Sequence, residues 1–327
     1  MSATPTITAA ICTRDRPRQL ARALESLTAQ SPAPSEILVI DNAPSDSSTM
    51  VLVSENFPQV RYLREPIPGL DFARNRALAE ASGNVVAFLD DDAMAGPGWS
   101  EALRLVFETE PHVAVCTGRV EALALETPAQ RLFEVNGGFG RGNRRIRLPD
   151  DAAHLLHGWP VPLIAWAVSV GSGCSYAVRR AVALELGGFD EALDLGSPLA
   201  GGGDHDLLWR ALEAGWSVEY QPAAIAWHEH RREMAAVHGQ IIGHQRAVLA
   251  FLAKHLTRTS LRRGLPLLAY LSWRLVKPGV RLVRRGLGRD PLPTGVLLRM
   301  WWNCWAGLSA YSSARRVARS RREQYAA

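Results

Sequence analysis

Three adjacent carboxylates, Asp90, Asp91 and Asp92, follow an uninterrupted apolar run, Val85-Val86-Ala87-Phe88-Leu89. Three negative charges side by side repel one another, and burying any of them unpartnered is costly. The run before them reads as a strand covered on both faces. Ligands bind at the carboxyl ends of such strands in α/β proteins. The combination points to a divalent cation with oxygen ligands, an acidic solvated loop being the plainer alternative. Asp41 ends a second apolar run, where it can hydrogen-bond a ribose or base or merely cap the next turn. Gly201-Gly202-Gly203-Asp204-His205-Asp206 sets two acids in a first helical turn, a place the helix dipole favours by itself. His228 closes a short apolar strand at 224–227, where a structural histidine and a metal ligand are both open.

The elements that must position these groups are legible. Strands are expected at 7–12, 36–40, 60–63 and 85–89, and helices at 17–30, 47–56 and 71–81. Leu20, Ala23, Leu24 and Leu27 share one face of the first helix. Regular alternation of strand and helix implies βαβ units and a mostly parallel sheet. A further strand at 113–120, a loop at 136–143, a helix at 181–186, a helix opening at Gly203 and a long helix at 234–255 follow. No glycine-rich dinucleotide turn and no Walker A loop occurs, which sets aside the usual Rossmann cofactors and P-loop chemistry.

The chain has 327 residues, 47% hydrophobic and 21% charged, enough for a substantial core. Its net charge of +5 hides an asymmetry. From Arg258 onward fifteen Arg and Lys stand against Asp290 and Glu323, a balance of +13 that leaves the preceding chain at −8. A basic tail on an acidic body suits an anionic surface as partner. Nucleic acid is not expected, because no reader motif is present and the acidic body repels a phosphate backbone. Cys12, Cys116, Cys174 and Cys304 form no CxxC pair, which argues against a zinc site or a disulfide scaffold. With no signal sequence at the N-terminus, a cytoplasmic location is expected.

Thr13-Arg14-Asp15-Arg16-Pro17, Asp41-Asn42, Gly69-Leu70-Asp71-Phe72-Ala73-Arg74-Asn75 and Phe88-Leu89-Asp90-Asp91-Asp92 stand in the order and spacing of glycosyltransferase family 2, which the chain resembles. The resemblance implies a GT-A fold and inverting, metal-dependent transfer from a nucleoside-diphosphate sugar. It assigns Thr13 and Asp41 to the nucleotide base with Arg74 beside it, and Arg14 to the donor-binding set. Asp90 and Asp91 face the ribose and sugar, and Asp92 ligates Mn²⁺ or Mg²⁺ on the diphosphate. The glycines around Gly171-Ser172-Gly173 lie under the donor sugar. Asp204 is the general base and Arg210 its companion six residues on. Here Gly203 stands where a Glu usually precedes the Asp, which leaves Asp206 as the alternative base. The resemblance makes His228 the second metal ligand, and His230 a candidate for the diphosphate. Other users of clustered aspartates, a nucleotidyltransferase, phosphatase or nucleotide-sugar hydrolase, do not call for the acidic helix start and the late histidine together.

Three regions are implied: a nucleotide-sugar half at 1–112, an acceptor and catalytic half at 113–232, and a helical basic extension at 233–327. Arg119 and Glu121 are expected near the acceptor. Trp159, Pro160, Val161, Pro162 and Trp166 are read either as a sugar-stacking wall or as core. In the extension, apolar stretches at 265–273 and 292–311 alternate with arginine clusters. The first is too short to span a membrane and the second carries Arg299 and Asn303. Both suit peripheral attachment to the inner face of an anionic membrane, with a soluble helical cap as the alternative. That attachment fits a glycan or lipid-linked acceptor and a role in polysaccharide or cell-envelope synthesis.

Overall fold

The computed structural model describes residues 4–152 and 162–326. Trp159, Pro160 and Val161 lie outside them. In the first part β1 (Ile7–Thr13), β2 (Glu36–Asn42), β3 (Arg61–Glu65) and β4 (Val85–Leu89) alternate with α1 (Pro17–Thr28), α2 (Ser48–Asn56) and α3 (Leu70–Glu80). β1 and β4 are buried almost throughout, as a strand covered by helices on both faces must be. The order is β3-β2-β1-β4, all parallel.

The second part adds β5 (Ala93–Ala95), α4 (Trp99–Thr109), β6 (Val113–Ala122), α5 (Pro128–Val135), β7 (Ile146–Leu148), α6 (Leu163–Val170), β8 (Ser175–Arg179), α7 (Arg180–Glu185), α8 (Gly203–Glu213) and β9 (Ser217–His228). The mostly parallel character expected of the sheet is carried by its first four strands. Beyond them the sheet is mixed: β8 runs antiparallel to both β4 and β6, and β9 is parallel to β6 but antiparallel to β5 and β7. β9 is longer than the apolar stretch at 224–227 suggests, because its register on β6 jumps between Gly118 and Arg119. Pro222, which cannot donate to the ladder, lies in that irregularity.

The extension forms α9 (Met234–Leu256), α10 (Leu261–Gly286) and α11 (Thr294–Ala326). The stretches at 265–273 and 292–311 are therefore segments of longer helices, continued by arginines, which are good helix formers. No helix among the described residues is long and apolar enough to cross a membrane. One face of the extension joins the core: Ala250, Ala310 and Ala314 pack with Phe72, Leu193 and Leu195. Gly307 lets α11 approach α9, since a Cβ there would meet the Arg246 carbonyl and Leu249 at 2.8 Å.

A buried polar knot ties the extension to the sheet domain. Lys254 of α9 is 2% exposed; it pairs with Asp190 at 2.6 Å and also with Asp206 of α8. His255 and Arg210 occupy the rest of Asp206, at 2.9 and 2.7 Å. Removing one member of a buried ion cluster strands the others. Lys254→Met is expected to lower stability by about 3 kcal/mol, read as an earlier urea midpoint by circular dichroism. An unchanged midpoint would mean that apolar packing alone docks the extension.

Candidate active site

The carboxyl ends of the parallel strands collect the first set of groups. β1 and β2 are in register with Thr13 opposite Asp41, and Asp90 directly follows β4. The chain then turns into β5, whose Ala93 pairs with His228 of β9. The Glu229 N–H donates to the Asp92 carbonyl at 2.9 Å. This antiparallel pairing brings residues 136 apart in sequence together: Asp92 Oδ1 lies 3.3 Å from His228 Nε2.

The three aspartates have different surroundings. Asp91 is buried, with one oxygen accepting from Thr13 Oγ1 at 2.8 Å and the other from Arg16 at 3.0 Å. It pins β4 to β1 and has little left for a ligand. Asp92 remains more open, and although burial opposes its charge, His228 and Arg16 hold its carboxyl below the usual range. Asp90 has no such partner. Burial and the neighbouring Asp92 push it up to about 7, against Arg74 and His228. Asp90, Cys174 and His228 have donor atoms within 4.8 Å of one another. The donor set suits a divalent cation: carboxylate oxygens beside an imidazole, and an acid whose charge lacks a counter-ion. Cys174 is the poor member, because burial raises its thiol well above the ordinary value and hard cations favour oxygen.

His228 is 7% exposed. Burial works against its protonation, but Asp92 outweighs it and raises its pKa. Its Nδ1 faces His230 Nδ1 at 3.0 Å, and His230 Nε2 meets Glu134 at 2.6 Å. A carboxylate behind a histidine that backs a second histidine orients the ring and its tautomer. Phe139 packs on His228 with ring centroids 5.1 Å apart.

A second set lies on the other side of the Gly173-Cys174 step. The Asp90 N–H donates to the Cys174 carbonyl, and Gly173 abuts Asp204 and Arg74; a Cβ there would stand 3.1 and 2.9 Å from them. Asp204, in the first turn of α8, accepts from the His205 N–H at 2.8 Å. Burial opposes its charge, yet His205, Arg74 and the His205 and Gly173 amides hold it below the ordinary carboxylate value. It is therefore an ionised carboxylate at a helix N-terminus, beside a glycine rather than a bulky wall. Asp206 is wholly buried and its oxygens are taken by Lys254, His255 and Arg210. Asp206, the alternative base, is thus the fully paired acid of the two.

Several expectations are redirected. Arg14 stands at the surface, 3.7 Å from Asp15, while Arg16 reaches the aspartates. Arg74, expected beside the nucleotide base, is buried between Asp71 at 2.9 Å and Asp194 at 3.2 Å. Burial alone would weaken its charge, and the surrounding acids more than restore it. His230, expected near the diphosphate, has one ring nitrogen facing His228 and the other facing Glu134. Arg210 braces α8 through Asp206 and the Leu186 and Gly188 carbonyls. Arg119 is engaged by Glu121 and Asn143. Trp166 is buried in the same hydrophobic cluster as Phe88, Tyr176 and Leu208. Asp41 is buried, accepts from Tyr62 at 2.9 Å, and leaves Oδ1 without a partner.

Arg16, Asp71, Cys174 and Asp194 were not expected in the site, nor was Phe139, which stands in the loop at 136–143. Of these, only Arg16 and Asp71 carry a signal, since both stand inside the quoted motifs. Gly203 gains its reason here. Asp71, wholly buried, presses its carboxylate on the Gly203 α-carbon, so an added Cβ would overlap it.

Residues 8–155 match the family model of glycosyl transferase family 2. The chain is 30% identical over 204 residues to the pre-mycofactocin glycosyltransferase of Mycobacterium tuberculosis, covering 61% of this chain and 38% of that one. It thus spans well under half the length of that relative. It is 29% identical over 261 residues to the succinoglycan biosynthesis protein ExoM of Rhizobium meliloti, covering 78% of this chain and 72% of that one. Its fold is that of the mannosyltransferase PcManGT from Pyrobaculum calidifontis, solved with GDP-Man and Mn²⁺, at a TM-score of 0.59 and 18% identity, covering 98% of this chain and 85% of that one. The structure of GalNAc-T7 with UDP, GalNAc and Mn²⁺ is also similar, with a TM-score of 0.53, 16% identity and coverage of 72% and 45%.

Gly203→Ala is expected to cost about 1–3 kcal/mol by forcing Asp71 aside. Asp71→Ala removes the obstacle, so the double variant should lose about 1 kcal/mol less than the sum of the two. Strict additivity in denaturant melts would rule out the contact as the reason for the glycine.

Proposed function

We propose that the chain, whose residues 8–155 match the model of glycosyl transferase family 2, is a member of that family and transfers a sugar from a nucleoside-diphosphate donor to an acceptor hydroxyl with inversion. The observation that carries the reading is the two-sided arrangement about Gly173-Cys174. On one side an ionised Asp204 is held in a first helical turn; on the other stand Asp92, His228 and Asp90, with room in their charge balance for a cation.

Single displacement needs a base on the acceptor and charge stabilisation on the leaving group. Asp204 takes the proton from the acceptor oxygen as that oxygen attacks the anomeric carbon. The bond from that carbon to the diphosphate breaks on the opposite side. Arg74 and His205 keep Asp204 charged before the proton arrives. Asp92 and His228, with Asp90 beside them, would hold Mn²⁺ or Mg²⁺, which would supply positive charge to the departing diphosphate. A nitrogen ligand favours Mn²⁺ of the two, and the two similar solved structures contain Mn²⁺. The unpartnered Asp41 Oδ1 serves the nucleoside, with Thr13 opposite it in register. Asp91 acts as the pin between strands.

The acceptor we propose is a glycan or a lipid-linked sugar, in keeping with a similar protein named for succinoglycan biosynthesis. Peripheral attachment to the cytoplasmic face of a membrane belongs to this reading. Outward faces of α10 and α11 expose Trp273, Trp301, Trp302 and Trp305 at 49, 41, 77 and 57%, with Arg284, Arg285 and Arg299 also exposed. Aromatics and arginines together match the interface of an anionic bilayer.

Asp204→Asn should lower kcat by about 10³-fold or more while a nucleoside diphosphate with Mn²⁺ still binds by calorimetry. Loss of that binding would end its role as base. Asp92→Asn and His228→Ala should instead weaken metal-dependent nucleotide binding. Free sugar released without acceptor at the full turnover rate would convert the reading to a hydrolase. Trp302→Ser with Trp305→Ser should reduce cosedimentation with phosphatidylglycerol vesicles about tenfold or more; equal cosedimentation would remove the membrane face.

A further inference from the structure

A concave site outside the catalytic groups lies between the end of α9 and the middle of α11. Its cavity of about 460 Å³ is lined by Lys254, Thr257 and Arg258 of α9 and by Tyr311, Arg315, Arg316 and Arg319 of α11. On α11 the lining residues recur at three- and four-residue steps, so they form one helix face. Lys254 is committed to Asp190 and Asp206, and Arg319 to Glu323 at 2.8 Å. Among the described residues Arg258 donates only to the Tyr311 hydroxyl, at 3.4 Å. Among the described residues no carboxylate forms an ion pair with Arg258, Arg315 or Arg316. The Tyr311 ring lies under two of the cations, 5.7 Å from Lys254 Nζ and 5.9 Å from Arg258 Cζ.

We propose that this cavity binds a phosphate or diphosphate group, carried either by a soluble metabolite or by a lipid headgroup. Unpaired guanidinium forks converging on one concavity match phosphate oxygens, which take bidentate hydrogen bonds from arginine. Thr257 and Ser312 also line the cavity, their hydroxyls donating to the Lys254 and Ser309 carbonyls at 2.8 and 2.9 Å. Lys254 forms the floor and contributes charge already balanced by its two aspartates, so the excess rests on Arg258, Arg315 and Arg316. None of the lining residues belongs to the Asp92–His228–Asp204 arrangement, so the site stands whether or not the transferase reading does.

Inorganic diphosphate, titrated into the full chain in EDTA and followed by calorimetry, is the soluble probe. Phosphatidylglycerol vesicles are the lipid probe. Arg315→Gln with Arg316→Gln changes two exposed side chains and should weaken the true source at least about tenfold, while Asp92→Asn leaves it unaltered. Diphosphate binding lost in the arginine variant, with vesicle binding unaffected, assigns a soluble phosphate. Vesicle binding lost in that variant and displaced by diphosphate assigns a headgroup. The proposal falls if neither probe binds, or if the arginine variant binds both as tightly as the parent.

Discussion

Arg74 is a guanidinium enclosed by carboxylates, paired to Asp71 and Asp194 and felt by Asp204 and Asp90. Taking so many acids out of water is unfavourable by several kcal/mol per ion unless a cation accompanies them. One buried arginine offsets part of that. It leaves Asp71 with an unpaired oxygen and a pKa pushed well up by burial and Asp194, and it leaves Asp90 near neutrality in its titration. The site as folded is therefore short of positive charge on the side of Asp90, Asp92 and His228. The divalent cation proposed for this place would answer that deficit. Electrostatic need and proposed chemistry coincide.

The parts of the fold that were legible in the amino-acid order are those made by local pattern. Val85–Leu89 announces a buried strand because five apolar residues in succession have no other economical use, and α1 shows its inner face in Leu20, Ala23, Leu24 and Leu27. The second half was harder for a physical reason. β8 enters the sheet between β4 and β6 antiparallel to both, and β9 has neighbours of both directions. Direction depends on connections that cross the sheet, and local periodicity carries no record of them. Phe139 illustrates the same limit: a glycine-rich loop reads as surface, yet its one aromatic is brought against His228.

The extension shows how one pattern can serve two environments. Gly307, Ala310, Ala314 and Ala318 line the inward face of α11, small enough to bring it close to α9 and the sheet domain. The tryptophans of the same helix point elsewhere. A reading confined to apolar content sees one greasy stretch in both, so cap and membrane face appear as rival readings. In three dimensions the rivalry dissolves, because a helix has room for both: the inward stripe docks it, and the outward stripe is free to meet a second phase.

The choice between Asp204 and Asp206 turns on the same geometry at smaller scale. Two residues along a helix rotate a side chain by about 200°, so the two acids of one first turn face nearly opposite ways. Their partners come from distant parts of the chain: Lys254 and His255 for Asp206, Gly173 and Arg74 for Asp204. Nearby in sequence, only Arg210, four residues on from Asp206, and the adjacent His205 amide, which meets Asp204, tell them apart. The acid that is fully paired is anchored, and anchoring it orients the helix that presents the other. Asp206 thereby holds α8 so that Asp204 meets the cleft as a charged group beside Gly173, and the glycine at 203 leaves Asp71 the space to stand behind both.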